Sequence, residues 1–247
     1  MKQLRCSCTL FCAAMIFVLV SCGGNKEKTT EGTKSTDTTT ASTTHAALPS
    51  STVITTPQHM MITTHKVSNF AKWKASYDVH DSLRLANGVH SYVIGRGVTD
   101  SNTILVAVKA DDMGKAKAMA KSASLKQAMQ KGGVMGSPTF AFFTAVFQDT
   151  AKISSDIRSM ASFTVKDWDT WKKVFDSSRQ TRMNNGLMDR AYGYDPDDNH
   201  KVTLVLAVTD TAKAQAFWKS DLLKQARVQS GVIGTPKRFI FHVVQRY

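Results

Sequence analysis

The chain has 247 residues, 32 of them Lys or Arg against 19 Asp or Glu, for a formal charge of +13. Its four cysteines (Cys6, Cys8, Cys12 and Cys22) all lie within the first 22 residues, so the rest of the chain excludes a disulfide framework, a cysteine nucleophile and a thiolate metal site. The seven histidines show neither HxH nor HExxH spacing, and neither a metal site nor a cofactor is expected.

The chain opens with Lys2 and Arg5, then a short apolar run ending in Leu19-Val20-Ser21-Cys22. This reads as a signal peptide over 1–22, too short for a comfortable membrane span. The final four residues resemble a bacterial lipobox, which implies lipidation of Cys22, cleavage before it, and a membrane partner reached through the lipid. The expected address is the bacterial cell envelope, at the outer membrane on its periplasmic side or surface. Residues 23–58 are rich in Thr and Ser with almost nothing to build a core, and read as a disordered tether. Asp37-Thr38-Thr39 resembles a short O-glycosylation acceptor, although a plain polar linker explains it as well. Residues 59–247 keep 27 basic residues against 16 acidic ones, or +11, which suits anionic small molecules or lipid head groups. A tethered exported protein is not expected to bind nucleic acid.

A constant shift of 98 aligns 65–149 with 163–247 without a gap, with 25 identities in 85 positions. The chain therefore holds two copies of one unit, over 59–149 and 157–247, joined by a connector at 150–156. In each copy a strand ends near Val67 (Val165) and Asn69 (Asp167) is placed to cap a helix. Asn87-Gly88 (Asn185-Gly186) stops that helix. Two strands follow, with Asp100 (Asp198) in the turn between them. Asp112 (Asp210) caps a second helix that runs to Gly133 (Gly231), and a last strand closes the unit. This βαββαβ order predicts an α+β fold of two tandem ferredoxin-like repeats. The repeated "LKQAMQKGGVMGSP" and "LKQARVQSGVIGTP" contain close glycines, but these follow a helix. Anions bind helix N-termini, so both passages read as C-caps and turns.

Val67, Trp73-Lys74, the "YDVH" run from Tyr77, Arg84, Gly88, the "KAKAMAKSASLKQAM" helix and "GVMGSP" together resemble the dimeric α/β-barrel superfamily, with antibiotic-biosynthesis-monooxygenase-like domains the nearest branch. The resemblance implies two sheets packed into a barrel around a ligand cavity. The duplication would supply both halves in one monomeric chain. Haem-degrading relatives use a histidine on the second helix, and neither copy has one there.

Strand alternation locates the candidate cavity. Val89, Ser91, Val93 and Gly95, with Leu187, Asp189, Ala191 and Gly193, form small faces suited to packing under helices. The opposite faces carry His90, Tyr92, Ile94 and Arg96, or Met188, Arg190, Tyr192 and Tyr194. In the last strand Phe239, Phe241 and Val243 form an apolar set and Arg238, Ile240 and His242 a mixed one, matched in the first copy by Phe140, Phe142 and Thr144. On this reading His90, Tyr92, Arg190, Tyr192 and His242 converge on a barrel cavity floored by Phe140, Phe142 and Ile240. His90 and His242 are the only base candidates. Half-exposed positions near a sheet edge would carry the same residue types. Trp73 and Trp171 read as core, His65 as buried beside the first helix, His80 as helix surface, and Asp78 and Asp176 as surface ion-pair partners. Three functions fit: a tethered module binding a small, partly aromatic or anionic ligand; a cofactor-independent monooxygenase acting on a phenolic or enolisable substrate; or a structural lipoprotein with a filled barrel.

Overall fold

A computed structural model describes residues 51–247; Cys22 and residues 23–50 of the predicted tether lie outside them, while the tether's expected end at 58 is corrected, because residues 53–54 form a strand and Gln58 begins another. The first repeat runs β1 (Val53–Ile54), β2 (Gln58–Val67), α1 (Phe70–Val79), α2 (Asp81–Leu85), β3 (Val89–Gly97), β4 (Thr103–Ala110), α3 (Met113–Ala120), α4 (Ala123–Lys131) and β5 (Val134–Asp149). The second runs β6 (Ile157–Val165), α5 (Trp168–Ser177), α6 (Arg179–Asn184), β7 (Leu187–Asp195), β8 (Asp198–Val208), α7 (Thr211–Lys219), α8 (Asp221–Gln229) and β9 (Val232–Arg246).

Short polar side chains start the helices as their chemistry requires. Asn69, Asp112, Asp167 and Asp210 each accept a hydrogen bond from the backbone N–H three residues on, at 2.7–3.0 Å. Gly88, Gly133, Gly186 and Gly231 end helical segments with φ between 63° and 78°. Each predicted helix is in fact two. The second breaks at Ser122 and Ser220, whose hydroxyls cap the next helix by accepting from Leu125 and Leu223 N–H at 3.2 Å. The first breaks at His80 and at Ser178, the same position in the two repeats.

The strands form one antiparallel sheet in the order β1-β5-β2-β4-β3-β9-β6-β8-β7, closed by a further pairing of β5 with β7. The long strands make the closure possible. β5 pairs with β2 along Val134–Ala145 and then with β7 along Thr144–Gln148. Likewise β9 pairs with β6 along Val232–His242 and then with β3 along Phe241–Arg246. Each repeat thus lends the second half of its last strand to the other, and eight strands form a barrel without free edges.

Each repeat packs its helices on its own sheet over a core containing Trp73 in one case and Trp171 in the other. A third cluster fills the barrel: Met60, Ile62, Leu105, Phe143 and Phe241 are all at most 4% exposed, with Val93 beside them. This corrects the expected direction of the last strand. Its apolar set, Phe239, Phe241 and Val243, packs inside the barrel, while on the mixed set Arg238 lies beneath the helices against Trp218.

A β-bulge accounts for the other inversion. The pairing register shifts between Ser91 and Val93, and again between Asp189 and Ala191, at equivalent positions of the two repeats. One extra residue turns every later side chain to the opposite face. Ile94 therefore packs in the helix-side core and Val93 in the barrel. Tyr192 likewise packs among Trp168, Trp171 and Phe175.

Candidate functional site

The two repeats differ in the space between sheet and helices. In the second repeat it is one cleft of about 230 Å³; in the first it is divided into a cavity of about 70 Å³ beside His65 and Trp73 and a second of about 320 Å³ lined by Ala120, Met129, Pro138 and Phe140. The 98-residue shift shows how the linings differ in chemistry. Trp218, Arg227 and Arg238 of the second repeat's cleft correspond to Ala120, Met129 and Phe140. The second repeat has exchanged apolar filling for two guanidiniums and an indole.

The sheet supplies Phe163, Leu204, Leu206 and Arg238, and the helices supply Trp171, Phe175, Phe217, Trp218 and Arg227. Arg238 lies over the Trp218 ring, 4.1 Å from its centre, in cation–π geometry. Its Nε is buried and has no hydrogen-bond partner among the described residues. Burial, then the neighbouring Arg227, lowers its pKa to about 10; burial lowers Arg227 too. A buried N–H left without an acceptor costs about 1–3 kcal/mol, which an anionic ligand would recover.

Arg182 also borders this cleft, but its hydrogen bonds are satisfied. It makes a bidentate pair with Asp189 at 2.7 and 2.6 Å, donates to the Phe175 carbonyl at 2.5 Å, and stacks on the Phe175 ring at 3.5 Å. The equivalent Arg84 bonds Ser91, the Tyr77 carbonyl and Asp81. Both arginines fasten helix to sheet. Asp78 and Asp176 pair with Lys74 and Lys172 at 2.6 and 2.5 Å. The Tyr192 hydroxyl donates to Asp176 at 2.7 Å; burial, then that bond, raises the Tyr192 pKa. His65 is 5% exposed beside Trp73, and His80 bonds the Ser76 carbonyl at 2.7 Å.

The side chains expected to converge are divided among three places. Tyr92 and Arg190 share the barrel interior. Phe140 and Phe142 pack on the helix-side core of the first repeat and Tyr192 on that of the second. Ile240 is half-buried on β9, on the strand face opposite the barrel filling. The two histidines are on the surface: His90 is 3.0 Å from Asp111, and His242 is 3.0 Å from Asp156, their side chains 46% and 43% exposed. Neither reaches a cavity. Alternation counted along the strand missed Trp218, Arg227 and Arg238. The usable signal was the comparison of repeats, which sets Arg238 against Phe140.

Two βαββαβ repeats closing one eight-stranded barrel, with helices outside, define a dimeric α/β-barrel, here completed within a single chain. Solved structures share this fold. A protein provisionally assigned as a monooxygenase from Fusobacterium nucleatum aligns over 76% of this chain and 93% of its own, with TM-score 0.52 and 14% identity. An anthrone oxidase-like protein aligns over 79% and 95%, with TM-score 0.53 and 14% identity. A protein provisionally assigned as a chlorite dismutase aligns over 76% and 96%, with TM-score 0.55 and 11% identity. No family model and no curated protein matches the sequence.

Proposed function

We propose that this protein is an envelope lipoprotein that binds one small aromatic anion in the helix–sheet cleft of its second repeat. In this reading Cys22 carries the lipid and residues 23–50 form the tether. The observation that carries the site is the Arg238 guanidinium, stacked on Trp218 with a buried, unpartnered Nε at the wall of an apolar cleft. An apolar cavity of ~150 Å³ accepts benzene; a cleft of about 230 Å³ accepts a ring with one or two substituents. Phe163, Trp171 and Phe175 would flank the ring, and Arg238 would receive its carboxylate or phenolate.

Binding is favoured over catalysis because, among the described residues, neither a histidine nor a carboxylate lines this cleft. A cofactor-independent oxygenase needs a base to deprotonate its substrate. The buried His65 lies in the smaller cavity of the first repeat, and burial lowers its pKa to about 4, too weak for a base working near neutrality. The monooxygenase reading therefore rests on shared fold alone.

The test is a titration of the full chain with 4-hydroxybenzoate and with neutral benzyl alcohol, followed by tryptophan fluorescence. The acid should bind at least 10-fold more tightly than the alcohol. Arg238→Phe, which installs the first repeat's residue, should weaken the acid 10- to 100-fold, the scale of a lost charge-assisted hydrogen bond. Equal affinities, or an unaffected variant, would remove the site. Cys22→Ser should move the same binding activity out of the membrane fraction.

A further inference from the structure

The barrel is filled along most of its length, but at one mouth a cavity of about 70 Å³ remains. One water needs roughly 10–15 Å³ of such volume, so the space takes a few waters or one compact ion. Its charged lining is three arginines, Arg158, Arg190 and Arg246, and one carboxylate, Asp149, with the Tyr92 ring beside them. The lining therefore carries a net charge of +2. Arg158 and Arg190 are 4% and 7% exposed, and cations so deeply buried are ordinarily paired.

Here the pairing is incomplete. Arg190 donates through Nη2 to the Ala151 carbonyl at 2.8 Å, while its buried Nη1 has no hydrogen-bond partner among the described residues. Asp149 Oδ2 stands 3.6 Å from that nitrogen, too far for a hydrogen bond. Asp149 Oδ1 is engaged by the Ala151 N–H at 2.9 Å. Arg158 donates through Nη1 to the Ser155 and Ile157 carbonyls at 2.9 Å. Burial first, then Arg246 and Arg190, lowers the Arg158 pKa to about 10, so the arginines feel one another's charge. The 98-residue shift sets Arg158 against Met60, Arg190 against Tyr92 and Arg246 against Gln148. The three cations belong to the second repeat alone, and its partner positions are neutral.

We infer that this barrel mouth is a binding site for a compact oxyanion of phosphate or sulfate type, free in solution. Such an ion offers several acceptor oxygens to converging guanidiniums, supplies Arg190 Nη1 with its missing acceptor, and offsets the net charge of the lining. Arg246, which lines the cavity, is exposed, and the connector between repeats is held through Ala151 to both Arg190 and Asp149. The site is separate from the helix–sheet cleft and does not depend on it.

The test uses the full chain, titrated with sodium phosphate against sodium chloride of equal ionic strength by calorimetry and thermal melting. Phosphate should bind one to one and raise the melting temperature, where chloride does neither. Arg246→Gln, an exposed change to the sibling residue, should weaken phosphate about 5- to 10-fold, and Arg158→Met should abolish binding. Arg238→Phe should leave phosphate untouched, which separates this site from the cleft. Absence of a phosphate-specific heat or stabilisation in the parent chain overturns the proposal, as does undiminished affinity in folded Arg246→Gln. Displacement of bound phosphate by phosphatidic acid vesicles would overturn the free-ion assignment.

Discussion

At position 65 an imidazole stands where the second repeat has Phe163. It is 5% exposed and neither ring nitrogen has a hydrogen-bond partner among the described residues, so it is held neutral, with its pKa lowered by burial from 6.5 to about 4. The unfolded chain takes up a proton near pH 6.5 and the folded chain resists until about pH 4. Stability from this residue is thus complete above pH 6.5 and declines as pH falls towards 4, by about 3 kcal/mol in all. Urea unfolding between pH 4 and 7 should show this acid limb. His65→Phe, importing the sibling side chain, should flatten it over that interval. A limb of unchanged depth in the variant would assign the effect to other groups.

Among the elements, the two seams that close the barrel differ in tolerance. Gly95 on β3 and Gly193 on β7 are equivalent positions, and each faces the strand lent by the other repeat. A Cβ at Gly95 would lie 2.2 Å from the Phe241 ring, a packed side chain that must move aside but is not backbone. A Cβ at Gly193 would lie 1.9 Å from the Thr144 carbonyl oxygen, which is backbone within a ladder. Gly193→Ala should therefore cost about 3 kcal/mol, the upper part of the overpacking range, and Gly95→Ala about 1. Denaturant midpoints of the two variants give the comparison, and the reverse order would contradict this account of the seam.

Element order, capping residues and glycine stops were legible in the sequence because each depends on chemistry local to a few residues. Asn69 and Asp112 cap where their side chains dictate, and Gly133 turns where positive φ is needed. Ser122 was hidden inside a helical pattern, although it caps a new helix there. The bulges after Ser91 and Asp189 depend on the partner strand. No local composition reports them, and a single extra residue sends Tyr192 from the barrel to the helices. The direction of β9 failed for a related reason: whether Phe241 or Arg238 faces the barrel depends on what the barrel is filled with.

At the scale of the molecule, closure requires both repeats. Without repeat 2, β3 and β5 lose their seam partners, as β7 and β9 do without repeat 1. Exposed ladders of that length invite pairing with another chain. Repeats 51–149 and 157–247, expressed separately, should sediment as dimers or larger species, and the intact protein should sediment as a monomer. A stable monomeric half would show that the seams are dispensable.

The shared barrel interior of Tyr92 and Arg190 bears on how such a molecule could evolve. These two positions are related by the pseudo-twofold of the duplication. In a dimer of identical subunits, a change at one is made simultaneously at the other, so an arginine introduced near the axis would face its own image. Each such change would add two positive charges to one cavity at once, where the fused chain can add one. Fusing two gene copies into one chain releases the constraint: a cation can arise on one side while a phenol stays on the other. The covalent link between the halves thus does more than guarantee their meeting. It permits changes at the axis to be made one at a time.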